Sequence, residues 1–113
     1  MADDCLFCRI VRGEVPATIV ASNARCIAFR DISPAAPSHV LVIPTAHVES
    51  LNQVVDFSTV AAMTALAAEV ARLEGIADSG YRVVFNTNGN GGQTVFHLHL
   101  HVLGGRRLAW PPG

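Results

Sequence analysis

Three of the chain's five histidines stand at alternate positions in His97-Leu98-His99-Leu100-His101. Side chains alternate along an extended strand, so the three imidazoles share one face, about 6.7 Å apart at the Cα atoms. Leu98, Leu100 and Val102 share the other face and are expected to pack on the core. Three rings in a row fill a core badly, because each carries a polar nitrogen that needs a partner. Three chemistries are open: a solvent-facing polar stripe, a zinc ion held by alternate histidines, and a histidine nucleophile whose neighbours handle phosphate charge. A polar stripe would more usually mix Thr, Lys, Glu and Arg. Directly upstream, Gly91-Gly92-Gln93-Thr94 lets backbone N–H groups approach an anion and adds a hydroxyl donor. Glycine loops are most often plain turns, but one placed just before three histidines is a narrower signal. Cys5-Leu6-Phe7-Cys8 has the C-x2-C spacing of a zinc half-site, which needs two further ligands. A thioredoxin-like redox pair shares that spacing but requires a βαβ setting that is not visible here. Two buried or half-buried thiols with no metal are the remaining reading. Cys26 sits in an apolar run and is expected to be a core thiol.

The elements that must position these groups follow from periodicity and punctuation. Residues 5–11 form one or two helical turns ended by Gly13. Residues 18–21 and 26–29 are short β-branched or apolar runs around Ser22-Asn23 and predict a hairpin. Residues 33–38 hold two prolines and form a loop. Residues 40–43 are continuously apolar, as in a central strand. Val60, Met63, Leu66, Val70 and Leu73 make one apolar stripe on a helix from Ser58 to about Ile76. Asp56 or Ser58 would cap its start, and glycines 75 and 80 would end it. Residues 81–85 form a strand, residues 86–92 a turn-rich loop, residues 95–103 a strand, and residues 106–113 an irregular tail. Strands, one long helix, then more strands with short joins predict an α+β domain. Its sheet is mostly antiparallel, with about five strands, one long helix and one short N-terminal helix.

At 113 residues and 12.0 kDa, residues 1–113 fit a single domain. Half the residues are apolar and 15% are charged, which is enough to build a core. The net charge of −1 excludes a global field that draws the chain onto nucleic acid or anionic membrane. All eight basic residues are arginine, so no lysine can form a Schiff base, carry AMP or serve a phosphate loop. No run approaches the 18–20 apolar residues of a membrane span. The acidic opening Met-Ala-Asp-Asp, with no long apolar run behind it, predicts no export signal and hence a cytoplasmic protein with reduced thiols.

The histidine run resembles the histidine-triad motif, His-φ-His-φ-His-φ-φ, of the HIT superfamily. The likeness extends to Phe29-Arg30-Asp31-Ile32-Ser33-Pro34, to Ser38-His39-Val40-Leu41-Val42-Ile43-Pro44, to His47 and to Gly91-Gly92-Gln93-Thr94-Val95. Val102-Leu103-Gly104-Gly105-Arg106 and Trp110-Pro111-Pro112-Gly113 look like the Hint branch. The likeness runs from Cys5 to Gly113.

That resemblance implies a HIT-like fold and a nucleotide hydrolase. The middle histidine, His99, would attack the α-phosphorus and become nucleotidylated, and water would then release the nucleoside monophosphate. The implied substrate is a purine nucleoside 5′-phosphoramidate, of the AMP-NH2 or AMP-lysine type. A dinucleoside polyphosphate hydrolase and a nucleotide-binding regulatory protein with little turnover remain alternatives. The spare ring nitrogen of His99 is expected to donate to a backbone carbonyl. His101 and His39 match histidines that approach the phosphate oxygens. Asn86, Gln93 and Thr94 match polar residues around the phosphate and leaving group, with Gly92 and the Val95 N–H in the same cluster. Thr94 stands where the branch often has serine. Asp31 matches the acid that grips the ribose hydroxyls, and Val15, Phe29 and Ile32 match the lining of the base pocket. Arg30 departs from the residues usual there. Cys5, Cys8, His47 and His97 match a structural zinc site of bacterial relatives. The branch forms homodimers, which would bring the Trp110 tail near the partner subunit. No nucleic acid or membrane partner is implied.

Overall fold

The computed structural model describes residues 4–113. The acidic opening, residues 1–3, lies outside the described residues. Helix α1 (Leu6–Val11) precedes strands β1 (Ile19–Ser22), β2 (Cys26–Arg30) and β3 (Ser38–Pro44). A 3-10 turn (Leu51–Gln53) leads into helix α2 (Ser58–Leu73). Strand β4 (Tyr81–Val84), the single-turn helix α3 (Asn88–Gly91) and strand β5 (Leu100–Gly104) complete the chain. The five strands form one antiparallel sheet in the order β1-β2-β3-β5-β4, as an α+β reading expects.

Strand β3 is buried along its whole length because both faces of the sheet are covered. Val40 and Val42 pack with Cys26, Ala28, Leu100 and Val102 under Met63, Leu66 and Val70 of α2. On the other face, Leu41 and Ile43 meet Phe29 and Phe7 of α1. The alternation of β3 therefore decides which face each neighbour serves. His39 pairs with Leu103 and Leu41 pairs with His101 across the β3–β5 ladder.

The N-cap position of α2 is Phe57, which has no side-chain cap bond, so neither Asp56 nor Ser58 takes the expected place. Asp56, one residue earlier, turns the chain into the helix by accepting from the Ser58 N–H at 3.0 Å and the Ser58 hydroxyl at 2.7 Å. The helix ends three residues before Ile76. Gly75 takes a left-handed φ of +72°, and Gly75 and Ile76 donate N–H bonds back to Arg72 and Ala71. This is a Schellman stop, which tucks Ile76 under the sheet. Ile76 packs closely on Gly104: a Cβ there would lie 2.7 Å from the Ile76 Cδ1 and 3.1 Å from its Cβ, so Ile76 would have to shift. Leu73, expected in the buried stripe, is 57% exposed, because it lies at the edge of that face in the last turn; Ala67 and Ala71 are buried instead.

Two expectations need correction. The strand expected over 95–103 begins only at Leu100. Its partner β3 stops at Pro44, which has no N–H for a ladder. The Pro44 carbonyl instead accepts from the His97 ring, and residues 95–97 bend. Within the loop expected over 86–92, Asn88–Gly91 form one helical turn. Asn88 at φ 58° and Gly92 at φ 84° supply its left-handed ends, a conformation Asn and Gly tolerate.

Candidate active site

A cleft of about 270 Å³ opens on the α1 face of the sheet. His99, His101 and Asp31 line its polar end, with Thr94 and Val95 at one side. Val15, Phe29 and Ile32 line the apolar part, Ile32 as an almost fully exposed rim residue. Leu6, Phe7, Ile10, Pro16, Ala17 and Leu41 complete the wall, and sequence reasoning missed them. The signal for two was present: Phe7 and Ile10 stand three apart on α1, so they share a face.

His99 and His101 line the cleft, whereas the fully buried His97 lies in a group with Cys5, Cys8 and His47, and only His101 of the three lies in a regular strand. His99 donates its Nδ1–H to the His97 carbonyl at 2.7 Å. A neutral ring fixed in that tautomer has its lone pair on Nε2. Burial lowers the His99 pKa against the opposing pull of that bond and of Asp31, so the ring is neutral near pH 7.

His39 and His101 form a directed chain. The Ala35 N–H donates to His39 Nδ1 at 2.9 Å, which places the His39 proton on Nε2. That Nε2–H donates to His101 Nδ1 at 2.8 Å, so a neutral His101 carries its own proton on Nε2. Burial, then neighbouring His99 and His39, push the His101 pKa down to about 4. Burial also lowers His39, with Asp31 opposing. Asp31 Oδ2 lies 3.4 Å from His39 Nε2, while Oδ1 accepts from the Ser33 N–H at 2.8 Å. Asp31, His39 and His101 lie close enough to hold a cation. However, the His39 Nε2 is already a donor and His101 Nδ1 its acceptor, so these atoms serve each other.

The structure does not gather every sequence candidate around the cleft. Gln93 is buried and turned inward. Its amide donates to the carbonyls of Glu49 (2.8 Å) and Val95 (3.2 Å), and its oxygen accepts from the Asn88 N–H at 2.9 Å. It holds the loop in place. Gly92 serves as the left-handed end of α3, and Asn86 is half-buried behind that turn.

Cys5, Cys8, His47 and His97 converge a few ångströms away, their ligand atoms all within 4.8 Å of one another. Cys5 caps α1 and Cys8 lies in its first turn, so the helix itself sets the pair. His97 Nδ1 is 3.5 Å from each sulfur and 3.2 Å from His47 Nδ1, and Cys8 Sγ is 3.2 Å from His47 Nδ1. A tetrahedron with Zn–S about 2.3 Å and Zn–N about 2.0–2.1 Å has edges of roughly 3.3–3.8 Å. The ring tautomer fits as well. His97 Nε2 donates to the Pro44 carbonyl at 2.9 Å, which leaves its Nδ1 lone pair aimed at the sulfurs. The four residues can therefore hold a metal ion.

The family model of the HIT domain matches residues 12–108. The chain is 46% identical over 110 residues to a purine nucleoside phosphoramidase of Escherichia coli, covering 96% of this chain and 92% of that one. It is also 46% identical to an uncharacterised HIT-like protein of Synechococcus elongatus, over the full length of both. A crystal structure of a HIT family hydrolase from Legionella pneumophila superimposes with a TM-score of 0.93 at 49% identity, covering 97% of this chain and 100% of that one. With its sheet, its cleft and its histidine run inside the matched segment, this chain belongs to the HIT domain family.

Proposed function

We propose that residues 1–113 act as one HIT domain that hydrolyses purine nucleoside 5′-phosphoramidates through a covalent intermediate on His99. The observation that carries the reading is the 2.7 Å bond from His99 Nδ1 to the His97 carbonyl, which leaves a neutral Nε2 nucleophile at the cleft. Nε2 attacks the α-phosphorus, the P–N bond breaks, and the amine leaves with a proton taken from solvent, to which the attacking water of the second step returns one. Water then attacks the same phosphorus, the P–Nε2 bond breaks, and the nucleoside monophosphate departs with His99 restored. The His101 Nε2–H, supplied by the His39 chain, suits a donor to the phosphoryl oxygens as their charge grows. Thr94 and Val95 line the same cleft, and Asp31 suits the ribose diol. Val15, Phe29 and Ile32 offer apolar contact to a purine. The 46% identity to a phosphoramidase supports the choice of P–N bond.

Cys5, Cys8, His47 and His97 would hold a zinc ion. It would supply folding energy by tying α1 to the histidine run. The reaction itself needs no cofactor. Trp110, 81% exposed in the tail, suits a homodimer in which it meets the partner subunit. No helix among the described residues is long and apolar enough to cross a membrane, and a cytoplasmic setting fits the reduced thiols. The test mixes purified protein with adenosine 5′-phosphoramidate and follows AMP release beside His99→Ala. Release by the wild type alone supports the reading; release by both variants, or by neither, overturns it.

A further inference from the structure

The two ends of His97 face different chemistry. Its fully buried ring sits in the Cys–His group, gripped at Nε2 by the Pro44 carbonyl. Its main-chain carbonyl accepts the Nδ1–H of His99. Whatever fixes the His97 ring thus acts two residues from the nucleophile, through one hydrogen bond.

Phe7 makes a second link. It lies between Cys5 and Cys8 in α1, and its ring meets His97 edge-on at 5.9 Å and His99 at 5.2 Å, nearly perpendicular to the latter. Phe29 closes the same aromatic cluster at 5.5 Å. Helix α1 has only six residues, too few to hold itself helical in water, so its place is set by what its side chains grip. Those grips are the two cysteines, the buried ring of Phe7, and Ile10 and Val11 packed on the same cluster.

We propose that the Cys5–Cys8–His47–His97 group, when loaded with a divalent metal, orients the nucleophile. His97 and Phe7 are positioning residues for His99, one through its carbonyl and the other through its ring. This rests on reading His99 as the nucleophile. A ring left free to turn or to exchange tautomers would still sit beside bound nucleotide but would attack less often. The loss should therefore fall on kcat rather than on nucleotide affinity.

The experiment uses the full chain with ¹⁵N-labelled histidine, zinc-loaded, zinc-stripped by chelation, and reloaded with zinc alone. Two-bond ¹H–¹⁵N spectra report the tautomer of each ring. The loaded chain should hold His99 as the single Nδ1–H form, and the stripped, still folded chain should show a mixture. The kcat should fall about 10–100-fold on stripping, the scale seen when the support of a metal site is removed. The Kd for AMP should move less than about threefold. Reloading should restore both kcat and spectrum. An unchanged His99 spectrum and kcat in the folded, stripped chain overturns the proposal, as does a chain that takes up no zinc. If stripping unfolds the chain, Phe7→Leu decides. With zinc content unchanged, it should show mixed His99 tautomers and lowered kcat, and a wild-type spectrum and kcat overturn the proposal. If the loaded chain never turns over phosphoramidate, the proposed function fails while the spectra still answer the question of coupling.

Discussion

The two faces of the sheet are built on opposite terms. The α2 face is a dry core of Val40, Val42, Met63, Val70, Leu100 and Val102, under a sixteen-residue helix closed by a Schellman stop. The α1 face has a small apolar cluster under a six-residue helix, and it carries all five histidines. The same strands serve both. Leu100 and Val102 point one way along β5 while His101 points the other. Period-two alternation thus lets one strand stabilise the fold and present chemistry without compromise at any single position. Perturbing each face in turn should separate activity from stability.

The sharpest break is at His99. His99→Ala should lower turnover on the order of 10⁴-fold or more, since no other group in the cleft is posed to form the bond. Because the ring is buried against Phe7 and His101, its removal should lower the thermal midpoint as well, but AMP should still bind within about tenfold of wild type. A variant that keeps substantial turnover would erase the division between the faces.

Met63→Ala asks the converse question on the α2 face. Met63 is fully buried, so its truncation should cost about 2–5 kcal/mol of stability, read by denaturant titration. At temperatures where the variant stays folded, kcat should match wild type. A large kcat loss there would mean that the core and the cleft are mechanically coupled.

Asp31→Ala sharpens the reading within the cleft. Loss of a charged hydrogen-bonding group is worth about 1.5–3 kcal/mol, so the KM for a nucleoside phosphoramidate should rise roughly 10–100-fold. A substrate lacking the ribose hydroxyls should show little difference between wild type and variant. Equal losses on both substrates would assign Asp31 to its contacts with His39 and the Ser33 N–H instead.

The features legible in the sequence were those set by local period and punctuation. The Leu/His alternation over 97–102, the continuous apolar run of β3 and the stripe on α2 all follow from spacing. What was not legible depended on distant partners. His97 leaves the strand because β3 ends at Pro44, whose carbonyl takes the His97 ring; the Cys5–Cys8–His47–His97 group was expected from the resemblance, but not this cost to the strand. Gln93 has the residue type of a phosphate ligand, yet its amide is taken by Glu49, Asn88 and Val95 backbone. Phe7 has no polar atom to draw attention, and its place beside His99 follows only from the packing of α1.

The smallest effect tests whether the α1 face stores its histidines neutral. His101 faces His99, His39 and Asp31, and its pKa falls to about 4 from an ordinary 6.5. A histidine whose folded pKa is depressed binds fewer protons than the unfolded chain between those two values. Its contribution is therefore fully present above pH 6.5 and is lost as pH falls toward 4. The loss should approach about 1.4 kcal/mol for each pH unit within that window. Denaturant titrations of wild type and His101→Gln at pH 7, 6 and 5 measure it directly. The wild type should lose stability faster than the variant, because glutamine has no proton to take up. Parallel curves would place the acid sensitivity on other groups, and a steeper curve for the variant would mean that His101 is protonated in the fold and held so by Asp31.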